Sequence, residues 1–395
     1  MRRFTAEEIT FIQAHLHQDA ATLMLQASRY PGLPVLELVQ QIKARQKATT
    51  KLPTWAENPE TVFPVTLSVE QSSSEATAAF KAFLVKGKLL IDLTGGFGVD
   101  SLYFARSFEQ VIHVEQNHEL QEIAAYNFNL LGATNIQSIA TTAEAFLNSF
   151  TQKADVIYLD PARRGNREEK LHLLQDCEPD ILGLLPVLLA KSDAILLKTS
   201  PMLDIELALE QLLQVAKVWV IAVHNEVKEV LYLLQPHTTA PELAERKAVN
   251  LLASGQQQTL TFTKATEEAA IPVYTLPQAF VYEPNAAILK AGAYRYLGAQ
   301  LGLNKLHPNS HLYTSEQLVP DFPGRSFRCV HVSSYNKKEL LRLVPGKQAN
   351  ITVRNFPESV AEIRKRTGIK EGGRLYLFFT TDMQQKPTVL ICEKV

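Results

Sequence analysis

The chain has 395 residues, 46% hydrophobic and 21% charged, an ordinary globular composition on a length that one core rarely organises, so two to four folded units are expected. Its longest apolar stretches, such as ILGLLPVLLA, fall short of the roughly 20 residues of a membrane-crossing helix. The charged start MRRFTAEEITFIQ lacks a signal-peptide centre, and Cys177, Cys329 and Cys392 show no metal-like spacing, which together predict a cytoplasmic protein with reduced thiols, no membrane segment and no metal site.

The net charge of −1 hides a split: residues 323–395 carry 14 Lys+Arg against 6 Asp+Glu, and the rest of the chain 26 against 35. A basic end on an acidic body suits a module that handles a polyanion, the alternative being a solvated basic face.

In chain order, TAEEITFIQAHLH opens residues 5–46 with a capping-box pattern, Thr5 then Glu8, and sets Ile9, Ile12 and Leu16 on one helical stripe. PVLELVQQIKARQ predicts a further helix, and KATTKLPTWAENPETVFP, with prolines at 53, 59 and 64 and no period, predicts a linker. Lys43, Arg45, Lys47 and Lys51 in this region are expected on solvated faces, the alternative being contact with nucleic acid. VEQSSSEATAAFK follows, just before the first strand, with Ser74, Glu75 and Thr77 placed to cap a helix or cover a ligand.

From residue 88 to about 264 the runs KLLID, QVIHVE, NIQSIA, ADVIYLD, DAILLKTS, KVWVIAV and QTLTFTK alternate with helical stretches. Continuous apolar runs belong to strands covered on both faces, so the expectation is an α/β fold with a doubly wound, seven-stranded Rossmann-like sheet. Residues 277–322 predict a helix and a Pro/Asn/Ser-rich connector. The last part, from SFRCVHVSSY to PTVLICEKV, predicts a small α+β module in the order strand, helix, strand, helix, strand, strand.

Within DLTGGFGVD, at residues 92–100, three ligands compete. A phosphate-binding loop needs a Lys after its last glycine, and none follows Gly98. The dinucleotide fingerprint needs a third glycine, and that place is Ser101. There remains a loop for S-adenosylmethionine (SAM), with Asp92 accepting hydrogen bonds near the methionine end and Gly96 and Gly98 leaving room for cofactor atoms. Glu115 ends the next strand in HVEQN, spaced to accept both ribose hydroxyls. Thr142, Ala143 and Glu144 follow as the adenine neighbourhood, and YLDPARR ends the fourth strand.

Glycine loop, ribose acid, adenine loop and Asp-Pro loop in this order resemble the class I SAM-dependent methyltransferases. Thr94 and Asp100 make the loop more similar to the Asp-x-Thr-x-Gly-x-Gly-x-Asp loops of a subset of RNA methyltransferases, with Thr94 bonding the cofactor carboxylate or bracing the loop. Asp160-Pro161-Ala162-Arg163-Arg164 resembles the Asp/Asn-Pro-Pro-aromatic loop of exocyclic-amine methyltransferases but lacks the second proline and the aromatic residue that stacks on an extruded base. It also resembles the Asp-Pro-Pro-Arg loop of RNA uridine C5-methyltransferases, whose nucleophilic cysteine is absent from LLKTSPMLD. Asp160 is therefore expected to orient the base, with Pro161, Arg163 and Lys198 beside it, the alternative being a purely structural turn. Arg163 and Arg164 suit a phosphate or carboxylate, or a buried ion pair.

SSEATAAFK, DLTGGFGVD, YLDPARR, LKTSPMLD, EPNAAILKAG, LHPNSHLYTS and NITVRNFPESVAEIRKR together resemble the bacterial class I methyltransferases with a C-terminal THUMP-like domain. The resemblance implies an N-terminal helical region and linker (1–65), a methyltransferase domain (66–276), a ferredoxin-like linker segment (277–322) and a THUMP-like α+β domain (323–395). It implies SAM as cofactor and structured RNA, tRNA or rRNA, as partner; methylation is expected at a base nitrogen. Arg354, Arg364, Lys365 and Arg366 are the expected RNA-binding residues, Arg364 and Lys365 projecting from the apolar stripe of Val360 and Ile363. The alternatives are a methyltransferase of a protein or small molecule, and a non-catalytic SAM- or RNA-binding protein.

Overall fold

In the computed structural model residues 2–163, 173–236, 238 and 241–395 are described. Their contacts gather them into two units, residues 1–216 with 231–239 and residues 217–230 with 240–395.

The first unit begins with helices α1 (Ala6–Ala14), α2 (Ala20–Leu25) and α3 (Val35–Lys51). The capping box forms, Glu8 N donating to Thr5 Oγ1 at 3.3 Å and Thr5 N to Glu8 Oε2 at 2.8 Å. The helix stops before Leu16, and its buried face is Phe11 and Ile12 rather than the expected three-residue stripe. Phe11, Ile12 and Leu23 pack on Val35, Leu38, Val39 and Ile42 of α3 in one small core.

The expected linker is not one. Residues 47–51 continue α3, and Pro53 opens α4 (Pro53–Glu57), because a proline lacking its N–H is well placed at a helix start. Trp55, at 0% exposure, packs on Phe97 of the glycine-rich stretch with ring centroids 4.5 Å apart. Arg45, expected in solvent, is buried and donates to the carbonyls of Ala56, Asn58, Pro59 and Thr61, so its guanidinium holds the chain that follows α4. The boundary drawn at residue 65 thus falls inside a single unit.

Next come α5 (Thr66–Gln71), α6 (Glu75–Leu84), β1 (Gly87–Asp92), α7 (Val99–Phe104), β2 (Phe108–Glu115), α8 (His118–Leu130), β3 (Ile136–Ala140), α9 (Ala143–Ser149) and β4 (Ala154–Leu159). Two-residue strands β5 (Ala162–Arg163) and β6 (Cys177–Glu178) pair antiparallel, and α10 (Ile181–Lys191), β7 (Ser192–Thr199) and α11 (Ile205–Leu212) follow. The long strands lie parallel in the order β3-β2-β1-β4-β7. Asp92 stands opposite His113 on one side and Tyr158 on the other, so β1, β2 and β4 end level with one another. The loops leaving those ends share one edge, where doubly wound folds bind ligands.

In the second unit β8 (Val215–Val223) pairs parallel with β10 (Glu245–Leu251), which pairs antiparallel with β11 (Gln257–Phe262). The strands β9 (Glu226–Leu234) and β10 correct the seven-stranded expectation: among the described residues nine long strands lie between Gly87 and Phe262. β9 was missed because His224 and Asn225, at φ 51° and 66°, turn the chain out of β8 with no glycine or proline to mark it.

Residues 277–322, expected to be one helix and a connector, hold β12 (Phe280–Pro284), α13 (Ala286–Ala291), α14 (Arg295–Leu301), β13 (Asn304–Lys305) and β14 (Tyr313–Ser315), after the short helix α12 (Lys264–Ala269). The terminal part follows the expected order: β15 (Gly324–Ser334), α15 (Lys337–Leu343), β16 (Asn350–Arg354), α16 (Val360–Thr367), β17 (Leu375–Thr381) and β18 (Pro387–Lys394). These strands form one sheet in the order β13-β14-β12-β15-β18-β17-β16. Leu340 in the middle of α15, Val344 just after it and Ile363 of α16 pack against Leu377, Phe379, Val389 and Ile391 of that sheet.

Candidate cofactor and reaction site

The glycine turn owes its shape to what lies around it. Gly96 and Gly98 adopt φ of +54° and +87°, which side chains rarely tolerate. A β-carbon at Gly95 would stand 2.3 Å from the His113 ring, and one at Gly98 2.4 Å from Phe128. At Gly96 it would meet only the Thr94 carbonyl, at 3.8 Å, so the crest of the turn is open. Closely packed below and open at its crest, this turn fits an amino-acid-bearing nucleoside cofactor lying over it.

Asp92 is buried, at 1% exposure, and accepts from Ser101 Oγ at 2.6 Å and from Thr94 N at 3.1 Å. It braces the turn from beneath. Burial, reinforced by the nearby charges of Asp100 and Asp160, pushes its carboxyl up to about 7. Thr94 Oγ1 accepts from Asp160 N at 2.6 Å, tying the glycine turn to the Asp-Pro loop. Glu115, half-buried at the end of β2, accepts from Gly96 N at 2.8 Å through Oε2 and from Asn117 N at 2.7 Å through Oε1. Thr142 caps α9, its Oγ1 accepting from Ala145 N at 3.2 Å, and Ala143 is buried behind it.

Asp100 is turned away from the crest. Its Oδ2 accepts from Ser73 Oγ and from Tyr158 Oη, each at 2.8 Å, and its Oδ1 lies 3.1 Å from Lys81 Nζ. Burial alone would raise its carboxyl; Lys81, then Lys198, Ser73 and Tyr158, reverse this and hold it below the usual carboxylate range. His113, wholly buried under Gly95, faces Ser138 Oγ at 3.0 Å through Nδ1, and burial pushes it down to about 4.

On the Asp-Pro loop, Asp160 Oδ2 is ion-paired with Lys198 Nζ, the carboxylate side chain 33% exposed and the lysine side chain 12%. Pro161 follows, half-buried. The Arg163 backbone pairs with Cys177 of β6, while the Arg163 side chain and Arg164 lie outside the described residues. In the preceding segment Ser74 caps α6, accepting from Thr77 N at 3.2 Å, and Glu75 accepts from Thr54 N at 2.8 Å and Tyr103 Oη at 3.0 Å. The structure therefore brings together Asp92, Thr94, Gly96, Gly98, Glu115, Asp160 and Lys198. Lys81, Ser73, His113, Tyr158 and Trp55 were missed by sequence reasoning. Lys81 alone left a trace, a charge sharing a helical face with the apolar position Ala78.

The residues expected to bind RNA are differently placed. Arg354 pairs with buried Glu283 at 2.7 Å. Arg364, expected to project, has a side chain only 20% exposed; it pairs with Glu371 and donates to the Ile369 carbonyl at 3.1 Å. Its long stem lets the guanidinium fold back onto the end of α16. Arg366 pairs with Glu358 at 2.7 Å and lies 4.8 Å from the Tyr335 ring centroid. Lys365 is exposed. Around it, Lys337, Lys338, Arg342, Lys347 and Lys370 are also exposed, carried by α15, α16 and the turns that follow them.

Among the described residues no helix is long and apolar enough to cross a membrane, and no cluster of three metal-ligating side chains occurs.

Residues 280–323 match the model of a ferredoxin-like domain family and residues 324–394 that of a THUMP domain-like family. Over its whole length the chain is similar to the crystal structure of a candidate methyltransferase from Porphyromonas gingivalis W83, 34% identical, covering 100% of both chains with a TM-score of 0.89. Over 94 residues, 24% of the chain, it is 34% identical to an uncharacterised RNA methyltransferase of Thermosynechococcus vestitus. Over 29% of the chain it is 27% identical to a tRNA/tmRNA (uracil-C(5))-methyltransferase of Musicola paradisiaca. The chain spans only 21% and 40% of the length of these two relatives.

Proposed function

The chain belongs to the family of methyltransferases that end in a THUMP-like domain, and we propose that it is a SAM-dependent enzyme methylating a base nitrogen of structured RNA, tRNA or rRNA. The observation that carries this reading is the convergence of an open glycine crest, Glu115 and the Asp160–Lys198 pair on one edge of a parallel sheet.

SAM supplies an activated methyl group on sulfur, and the chain's own residues bind and orient. Gly96 and Gly98 let the backbone approach the amino-acid part. Glu115 retains lone pairs beyond those used by Gly96 and Asn117, and these accept from the ribose hydroxyls. Thr142 and Ala143 line the adenine side. Asp160 accepts from the base amine and aligns its nitrogen for in-line attack. Lys198, ion-paired with that carboxylate, holds it in place, with Pro161 and Arg163 shaping the loop around it.

Methylation at uridine C5 is the reading suggested by the Musicola relative's name, but that chemistry needs a cysteine nucleophile after the fifth long strand. Ser200-Pro201-Met202-Leu203-Asp204 follows β7 here. Cys177 is buried, with its Sγ 3.8 Å from the Leu173 carbonyl, and Cys329 and Cys392 lie in the second unit.

RNA docking is assigned to the outer faces of α15 and α16. Both helices turn their apolar sides to the sheet, so Lys337, Lys338, Arg342, Lys347, Lys365 and Lys370 face away from it. Arg354, Arg364 and Arg366, already paired, support that face rather than lead it.

The test is incubation of the enzyme with tritiated SAM and total RNA from a strain lacking the gene, followed by nucleoside mass spectrometry. A methylated base is expected, and its loss after RNase treatment separates RNA from protein substrates. Absence of label in RNA, with label in protein or none at all, would overturn the reading.

A further inference from the structure

Behind the glycine turn lies a charged network that no motif assigns. Lys81, on α6, has a side chain with no exposed surface. A lysine ammonium removed from water is stable only with a counter-charge and hydrogen bonds in place. Its Nζ lies 3.1 Å from Asp100 Oδ1 and donates to Ser73 Oγ at 2.9 Å. Ser73 Oγ donates to Asp100 Oδ2 at 2.8 Å, and Tyr158 Oη donates to the same oxygen at 2.8 Å.

The positions of these groups in the chain matter. Asp100 is two residues beyond Gly98, in the first turn of the helix that leaves the glycine turn. Tyr158 is two residues before Asp160, on the strand that delivers it. Ser73 and Lys81 flank and occupy the helix that precedes the sheet. One buried carboxylate therefore joins the cofactor turn, the strand behind the reacting loop and the preceding helix. We propose that Lys81 is a positioning residue whose ammonium is the counter-charge that lets Asp100 clamp the glycine turn to the strand carrying Asp160.

Charge, and not shape alone, is the working element. Asp100 and Asp160 lie close enough to Asp92 to raise its proton affinity, and the cations that offset the burial of Asp100 are Lys81 and then Lys198. Without Lys81, Asp100 is driven to take up a proton. Protonation exchanges the two charge-assisted hydrogen bonds from Ser73 and Tyr158 for weaker neutral ones, and an ionised Asp100 left without its cation is costly to keep buried.

The inference rests on the reading of this edge as a SAM site. Its test compares Lys81→Met, Asp100→Asn and the double variant by calorimetry with SAM, at a temperature where circular dichroism shows each to be folded. Amide hydrogen exchange over residues 93–101 and 159–161 is measured without cofactor. Each single variant is expected to weaken SAM binding at least tenfold and to speed exchange in both segments. The double variant is expected to return to within threefold of the wild type, because a pair of neutral side chains needs no counter-charge. Single variants within twofold of the wild type in affinity and exchange would overturn the proposal, as would a double variant as impaired as the product of the singles. Should the single variants fail to fold, Ser73→Ala, which leaves both charges in place, carries the test: faster exchange in both segments supports the clamp and unchanged exchange refutes it. If wild-type protein binds no SAM, the cofactor reading falls, and the exchange measurements still decide whether Lys81 positions the turn.

Discussion

Replacing Glu115 with alanine is expected to weaken SAM binding by roughly 10- to 100-fold. The carboxylate accepts from Gly96 N and Asn117 N at 2.8 and 2.7 Å, so its two oxygens are fixed before any cofactor arrives. A hydrogen bond to an ionised group is worth about 1.5–3 kcal/mol net, and every 1.4 kcal/mol is about tenfold in affinity. Glu115 is half-buried, which puts each ribose bond toward the low end of that range through solvent screening. Glu115→Gln is informative because both backbone partners are donors. One oxygen survives, but the amide NH₂ must face either Gly96 N–H or Asn117 N–H, so the glutamine variant is expected to lose nearly as much as alanine. Calorimetry with SAM and with its demethylated product measures the effect, with NAD as a negative control. Equal affinity in the wild type and Glu115→Ala would remove the ribose assignment and with it the argument from strand-end spacing.

Asp160→Ala is expected to keep SAM affinity within about threefold while methyl transfer falls by roughly 10- to 100-fold, the loss of one charged acceptor; retained turnover would reduce the Asp-Pro loop to a structural turn. Gly98→Ala combines a left-handed φ with a β-carbon 2.4 Å from Phe128, which should cost about 2–4 kcal/mol in urea unfolding, with partial relief from Phe128→Leu; a neutral Gly98→Ala would contradict the packing. His113 has its pKa lowered in the fold to about 4, so between that pH and the unfolded value near 6.5 the unfolded chain binds more protons. Its contribution is present above about pH 6.5 and is lost as pH falls toward 4, by about 3 kcal/mol. Asp92, raised to about 7, slopes the opposite way, its penalty growing as pH rises from the unfolded carboxylate value. The contribution of His113 is therefore read as the difference between wild type and His113→Asn across that range, and a pH-independent difference would refute its neutral burial.

Much of the edge that holds the candidate site was legible because it is written in local chemistry. Asp92, the glycines, Glu115 and Asp160 each stand at the end of an apolar run, and a parallel sheet in register must bring such ends level. The capping box at Thr5 and Glu8 and the element order of residues 324–394 were likewise visible, since caps and apolar periods act over a few residues. Roles set across the chain were not visible. Asp100 looks like part of the loop in sequence, yet 27 residues earlier Ser73 turns its carboxylate inward. Arg364 looks like a solvent-facing charge on a polar helix face until Glu371 and the Ile369 carbonyl draw it back.

What the sequence determined by itself is the kind of fold and the order of its stations, because strand, turn and cap preferences are decided by neighbours within a turn or two. Only the tertiary structure decided which charges are paired inside the fold. Trp55 and Arg45 came out of a proline-rich stretch that has no period to read, and they became the support of the glycine turn and of the segment after α4. A side chain's role depends on the partner that compensates its burial, and for Lys81, Asp100 and Arg45 that partner comes from another element of the chain.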